Sequence, residues 1–231
     1  NVGFGDCFCL RDRKKSLLVD FGTNNSRIEG RPRREIFDVI ISDLSTIKSK
    51  NLLLTHFHMD HLSGLLYMMK KKDISVDFGK VYLPDVFSKK EMSRTLVLLL
   101  LADLLKESGL PSRQVSLFAL VDALLENKQN VELLSRGKLF ENKYQALWPD
   151  TDVIRKETDE VYNRICEDGK FKEVMDVLLE FAEKLRLIVW SMTAEGNKPA
   201  ETVEKETDLT ASELTEQPEV RQKIIRAYVY E

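Results

Sequence analysis

All three histidines of this 231-residue chain fall within six positions, in the run Thr55-His56-Phe57-His58-Met59-Asp60-His61. Before the run stands the short apolar stretch Asn51 to Thr55, the length and character of a buried strand. After it comes Leu62-Ser63-Gly64-Leu65-Leu66-Tyr67-Met68-Met69, which can open a helix. The cluster is thereby placed on a loop at a strand's C-terminal end, where open α/β sheets put their chemistry. Imidazole is the commonest protein metal ligand and binds as the neutral ring. The run therefore reads as a metal site. His56 and His58, two apart, can converge on one cation from a tight loop. Asp60 and His61 can point to a second position, and paired ions in hydrolytic centres stand about 3.5–4 Å apart. Zinc suits imidazole with carboxylate, and manganese or iron accept the same donors.

Around this cluster the chain reads as layered α/β. Residues 1–23 suggest a β-hairpin, with Val2 to Leu10 and Ser16 to Gly22 as strands about a polar turn at Arg11 to Lys15. Gly3 and Gly5 hint at a bulge or a close backbone approach. Ile36, Val39, Ile40, Leu44 and Ile47 mark a helix face. The strand Asn51 to Thr55, the metal loop, a helix to about Lys72 and a strand at Val81 to Pro84 complete a β-β-α-β-α-β order. Residues 89–107 and 112–128 are leucine-rich with helical period, broken at Gly109 and Pro111. Short strands follow at Val131 to Leu134, Lys138 to Phe140 and Tyr144 to Trp148. Thr151 to about Leu185 is helical and leads into Leu187 to Trp190. Residues 193–219 are polar, a mobile loop or linker, and Ile224 to Tyr230 alternates like the start of a strand. The organisation expected is 1–87 as the first half of a sheet domain and 88–130 as a helical insertion. Residues 131–190 continue the domain, and 191–231 form a polar loop and a further strand.

A net charge of -3 gives no global footprint for nucleic acid, although Arg31 to Arg34, Lys70 to Lys72 and Lys89-Lys90 are local basic clusters. Cys7, Cys9 and Cys166 form no disulfide framework and read as free thiols of a reducing, cytoplasmic compartment. The longest aliphatic run, Leu96 to Leu101, is far too short to span a bilayer, and no signal peptide is visible. The chain starts without methionine, inside an expected strand, as a fragment of a longer protein would.

The motif His-x-His-x-Asp-His after an apolar strand resembles the signature of the metallo-β-lactamase superfamily. Gly3-Phe4-Gly5-Asp6-Cys7, Leu18-Val19-Asp20-Phe21-Gly22 and Ala146-Leu147-Trp148-Pro149-Asp150 extend the resemblance. Together they are similar to the branch with the hydrolase domains of DNA-uptake proteins. The resemblance implies a partial αββα sandwich carrying an inserted helical segment. It implies two divalent metal ions, zinc first. His56 and His58 correspond to ligands of one ion, and Asp60 and His61 to ligands of the other. Asp60's counterpart also orients or deprotonates the attacking water, and Asp20's supports the metal loop from behind. This chain has no histidine after His61, while the family needs a further histidine, a bridging aspartate and a last histidine. They are expected past Glu231, with a degenerate site, or carboxylates such as Asp150 or Asp152, as alternatives.

Such a centre implies hydrolysis by a bridging hydroxide, with the branch pointing to phosphodiester bonds in nucleic acid or a nucleotide. Ester or thioester hydrolysis is the enzymatic alternative, since a fold alone does not name a substrate. A degenerate scaffold serving as a binding module is the other, with the 89–128 insertion as its partner surface.

Overall fold

A computed structural model of the chain describes residues 5–12, 15–71, 77–107 and 116–194. The turn residues 13–14, the bulge expected at Gly3, the break at Gly109 and Pro111, most of the 193–219 stretch and the strand at 224–230 lie outside the described residues. The chain divides into two compact units, Asn1–Pro84 with Ala123–Glu132, and Asp85–Asp122 with Leu133–Glu231.

In the first unit the hairpin forms as expected. β1 (Phe8–Asp12) pairs antiparallel with β2 (Lys15–Val19), Phe8 lying opposite Val19. A two-residue ribbon of β3 (Arg27–Ile28) and β4 (Arg31–Pro32) follows, turning through Glu29 and Gly30 at φ of 50 and 80 degrees. This ribbon escapes a search by hydrophobic period because four residues carry none. Helix α1 (Arg33–Ser45) then leads to β5 (Lys50–Leu53), α2 (Met59–Met69) and β6 (Val81–Pro84). β5 runs parallel to both β2 and β6, with Leu18 opposite Leu52 and Leu53 opposite Tyr82. With β7 (Val131–Leu134) the five-stranded order is β1-β2-β5-β6-β7. The result is mixed α/β, in keeping with a partial metallo-β-lactamase fold.

Two readings of helices change. The buried face of α1 is Phe37, Ile41 and Leu44, whereas Val39 is 56% exposed and Ile36 and Ile40 flank the stripe half-buried. An aromatic anchor sets this rotation. Phe37 packs edge-on to Phe21 at 5.2 Å between centroids and against Tyr67 at 5.7 Å. The second change concerns α2, which starts at Met59 with His58 as its N-cap. Asp60 and His61 therefore occupy a first helical turn rather than a loop. A carboxylate there is favoured by the positive end of the helix dipole. Leu62, Leu65, Leu66 and Met68 bury most of the helix circumference, and the inward Ser63 hydroxyl exchanges two 2.8 Å hydrogen bonds with the Thr23 backbone.

Glycines let the backbone close on the start of α2. A Cβ on Gly22 would stand 2.6 Å from the Asp60 carbonyl oxygen and the Leu62 nitrogen, and one on Gly5 would stand 2.7 Å from the same carbonyl. The close approach expected at Gly5 is thus present. Ladder-like bonds continue through this region, with Asp20 N–H donating to Leu53 O at 2.9 Å and Phe21 N–H to His61 O at 2.9 Å.

The second unit holds a 3-10 turn (Lys90–Met92), α3 (Ser93–Glu107) and the start of α4 (Ser116–Glu126). A ribbon of β8 (Leu139–Phe140) and β9 (Tyr144–Gln145) and helices α5 (Thr151–Glu167) and α6 (Gly169–Ser191) follow. The single helical stretch read over 151–185 is broken because Asp168 caps α6, its side chain accepting from Lys170 N–H at 3.1 Å. α3 packs on α5 and α6. Leu96, Val97 and Leu100 are core there, and Arg94 reaches Asp159 at 2.9 Å and lies 4.8 Å over the Tyr162 ring.

Replacing Gly22 by alanine forces backbone apart at the first turn of α2, and overpacking of this kind costs about 1–3 kcal/mol. The expected outcome for Gly22→Ala is an unfolding free energy lower by that amount, seen as a lower urea midpoint with an unchanged denaturant slope and read by circular dichroism.

Candidate metal centre

The centre forms where two neighbouring parallel strands end. Asp20 follows β2 and Thr55 to His61 follow β5, so residues 35 to 41 apart in sequence meet across one strand spacing. Asp20 sits at φ 53 degrees, a left-handed conformation that Asp tolerates better than most residues. The turn swings its carboxylate under the metal loop, where it is 2% exposed. Asp20 Oδ1 accepts the Thr55 N–H at 2.8 Å, and Oδ2 accepts the Thr55 hydroxyl at 2.6 Å.

His61 is buried and stands with Nδ1 2.9 Å from Asp20 Oδ2 and 3.7 Å from Asp6 Oδ2. A carboxylate only accepts, so the Nδ1 nitrogen that faces it is the one carrying the proton. That leaves Nε2 with a lone pair on the side of Asp60, whose Oδ2 is 3.8 Å away. Pairing of a ligating histidine with a carboxylate through its other nitrogen fixes ring orientation and raises ligand basicity. The rings of His56 and His61 lie 3.7 Å apart between centroids, and those of His56 and His58 4.9 Å.

Two groups of metal-ligating atoms result among the described residues. His56, His58 and Asp60 offer atoms within 4.8 Å of one another, and so do Asp6, Asp20 and His61. The sequence reading pairs Asp60 with His61. The geometry sets Asp60 beside His56 and His58 and turns His61 toward Asp20 and Asp6. Two imidazoles and a carboxylate at this separation fit a divalent cation that takes nitrogen and oxygen donors. They match zinc as a donor set without excluding manganese or iron. His58 is exposed while His56, Asp60 and Asp6 are partly buried, so the first group opens to solvent. Asp6 has no place in the ligand set read from the sequence. Its signal there is its place in the Gly3-Phe4-Gly5-Asp6-Cys7 run that carries the resemblance, next to Gly5, whose missing side chain lets this segment reach the start of α2.

Charge favours a cation. Burial, then repulsion from His61 and His58, holds the His56 imidazole below the ordinary histidine range, with Asp20 and Asp60 offsetting part of this. The neutral ring is the ligating form. Cys7 lies beside Asp6 in sequence, but burial first, and Cys9 next, push its thiol up to about 11. It stays protonated at neutral pH, where a thiolate would be needed to bind metal. Cys7 and Cys166 are half-buried free thiols, and Cys9 is an exposed one rather than the buried or half-buried thiol expected.

Other anticipated participants have separate work. Asp150 caps α5, accepting from Asp152 N–H at 3.2 Å and Val153 N–H at 3.3 Å, and meets Arg136 at 3.1 Å. Those partners, Val153 first, hold its carboxyl below the usual range. Of the 70–72 basic run, Lys71 binds Asp38 and lies 5.0 Å from the centre of the Tyr67 ring, and Lys72 falls outside the described residues. The Leu-rich helices, read also as a partner surface, put Leu117, Phe118, Leu120, Val121 and Leu124 in the core, with Leu125 exposed. No helix among the described residues is long and apolar enough to cross a membrane.

Comparison with known proteins agrees with the motif. Residues 1–85 match the family model of the metallo-beta-lactamase superfamily. Over 77 residues the chain is 34% identical to Endoribonuclease YSH1 of Mycosarcoma maydis, a stretch that covers 33% of this chain and 8% of that protein. The chain thus spans under a tenth of that relative's length. No solved structure matches. The resemblance read from the histidine motif and its flanking strands holds over residues 1–85.

The pH dependence of the metal-free chain follows from His56. Its folded value lies below the unfolded value of 6.5, so on acidification the unfolded chain takes the proton first. Stability is therefore lost as pH falls from above 6.5 toward the folded value and levels off below it. The expected result is a smaller loss of stability over that window in His56→Gln, measured by urea unfolding at a series of pH values.

Proposed function

We propose, from the metallo-beta-lactamase superfamily match over residues 1–85, that the chain serves a metal-dependent hydrolase cleaving phosphodiester bonds, with RNA as the first substrate to test. The observation that carries this reading is the convergence of His56, His58 and Asp60 within 4.8 Å, beside a His61 already oriented by Asp20. The endoribonuclease similarity favours a nucleic-acid substrate over an acyl ester. His56, His58, Asp60 and His61 would hold the metal, two ions in the reading offered here and zinc the first choice. Bound there, a divalent cation makes water nucleophilic near neutral pH and offsets charge developing on the scissile group.

The chain's own groups take the remaining roles. Asp60 carries two oxygens at the solvent-facing side of the site, one for the cation and one to take the proton of the attacking water. The water oxygen bonds to phosphorus, the bond from phosphorus to the leaving oxygen breaks, and that oxygen takes a proton from solvent water at the open side of the site. His58, the exposed ring, borders the space where the phosphate must enter. Asp20 holds His61 in place from the far side through Nδ1 at 2.9 Å, with Asp6 3.7 Å from the same nitrogen. The binding-module reading draws no support from the 89–128 region, where the large apolar side chains described are mainly core.

His58→Ala, which removes a metal ligand, and Asp60→Asn, which removes the positioned base, are each expected to lower metal-dependent cleavage of a labelled single-stranded RNA by at least about 100-fold. Rates are to be compared at saturating manganese and at saturating zinc. Unchanged cleavage by both variants would remove these residues from the chemistry.

A further inference from the structure

We infer that Thr55 is a positioning residue whose hydroxyl links the Asp20 carboxylate to the His56 ring and keeps the His56 proton on Nδ1. The inference rests on the metal-hydrolase reading for its purpose and on hydrogen-bond bookkeeping for its content. Thr55 Oγ1 lies 2.6 Å from Asp20 Oδ2 and 3.0 Å from His56 Nδ1. A hydroxyl has one proton to give, and a carboxylate has none. At 2.6 Å two oxygens need a proton between them, and the separation falls in the range of roughly 2.5–2.7 Å for a hydroxyl donating to a carboxylate. The Thr55 proton is therefore committed to Asp20. What the hydroxyl shows to His56 is a lone pair, so Nδ1 must be the protonated nitrogen of that ring. Its Nε2 is left with the lone pair that a metal requires.

Asp20 thereby fixes two histidines. It fixes His61 directly through Nδ1 at 2.9 Å, and His56 through one intervening hydroxyl. The backbone holds the relay in register, because the Thr55 N–H donates to the other Asp20 oxygen at 2.8 Å. Valine has the shape of threonine and cannot carry the relay. Serine can.

The test reads the imidazole tautomers of the metal-free chain by two-bond proton–nitrogen correlation NMR at pH 8, in wild type, Thr55→Val and Thr55→Ser. The expected result is Nδ1–H at His56 in wild type and Thr55→Ser, and loss of that preference in Thr55→Val. Competition titration with a zinc chelator is expected to show zinc binding about 10–100-fold weaker in Thr55→Val, the usual cost of losing an outer partner of a ligand, and recovery in Thr55→Ser. Nε2–H at His56 in wild type overturns the inference. So does a Thr55→Val chain that retains Nδ1–H, or one whose zinc affinity equals wild type. Should Thr55→Val not fold, the wild-type and Thr55→Ser tautomers decide. A wild type with Nδ1–H that takes up no zinc sinks the metal-hydrolase reading, and the tautomer arms then decide for Thr55 alone.

Discussion

Asp20 binds the ends of two adjacent parallel strands to each other, and the candidate centre hangs on that connection. β2 delivers the carboxylate and β5 delivers the loop, and their register aligns Val19 with Leu53 just before both chains leave the sheet. From there Asp20 accepts a backbone N–H, a hydroxyl and faces an imidazole. A buried carboxylate with so many partners is costly to leave unpaired and cheap to keep, which makes the arrangement of Thr55, His56 and His61 hard to perturb independently. The same region holds a non-glycine residue at positive φ and two close-packed glycines, signs that the backbone is specified tightly where the donors converge.

The second organising constraint is where α2 begins. With His58 as an extended N-cap and Met59 as first helical residue, the spacing of Asp60 and His61 is helical, while His56 and His58 precede the helix. Four candidate ligands thus come from one continuous run through a change of backbone state. Two positions apart before the helix, the His56 and His58 rings lie 4.9 Å apart between centroids. The helix then turns Asp60 toward them and His61 inward. Gly5 and Gly22 let the opposing backbone lie directly against this turn, and the buried leucines of α2 hold it from the other end.

Much of this was legible from residues alone, because the features concerned are local. A strand, a histidine run and a helix in immediate succession need no knowledge of distant contacts. The mixed α/β character and the hairpin likewise follow from pattern. What was not legible depends on tertiary packing. The Phe21–Phe37–Tyr67 stack rotates α1 so that Phe37 and Ile41, rather than Val39, face inward. Asp6 enters the centre only because β1 and β2 fold back beside the start of α2. Asp150 could be weighed as a ligand from its charge, but its capping bonds to α5 are invisible without the helix start. The Asp168-Gly169 break between α5 and α6 was readable as a capping signal, yet helical composition on both sides concealed it.

The central claim is that residues 56–61 bind a divalent metal through imidazole nitrogen. X-ray absorption at the metal edge, on the chain loaded with one equivalent of zinc, tests it most directly. Multiple scattering from at least two imidazoles, with oxygen completing the shell and no sulfur, is the expected spectrum, and it should lose imidazole in His58→Ala. A shell of oxygen alone, or no retained zinc after gel filtration, would contradict it.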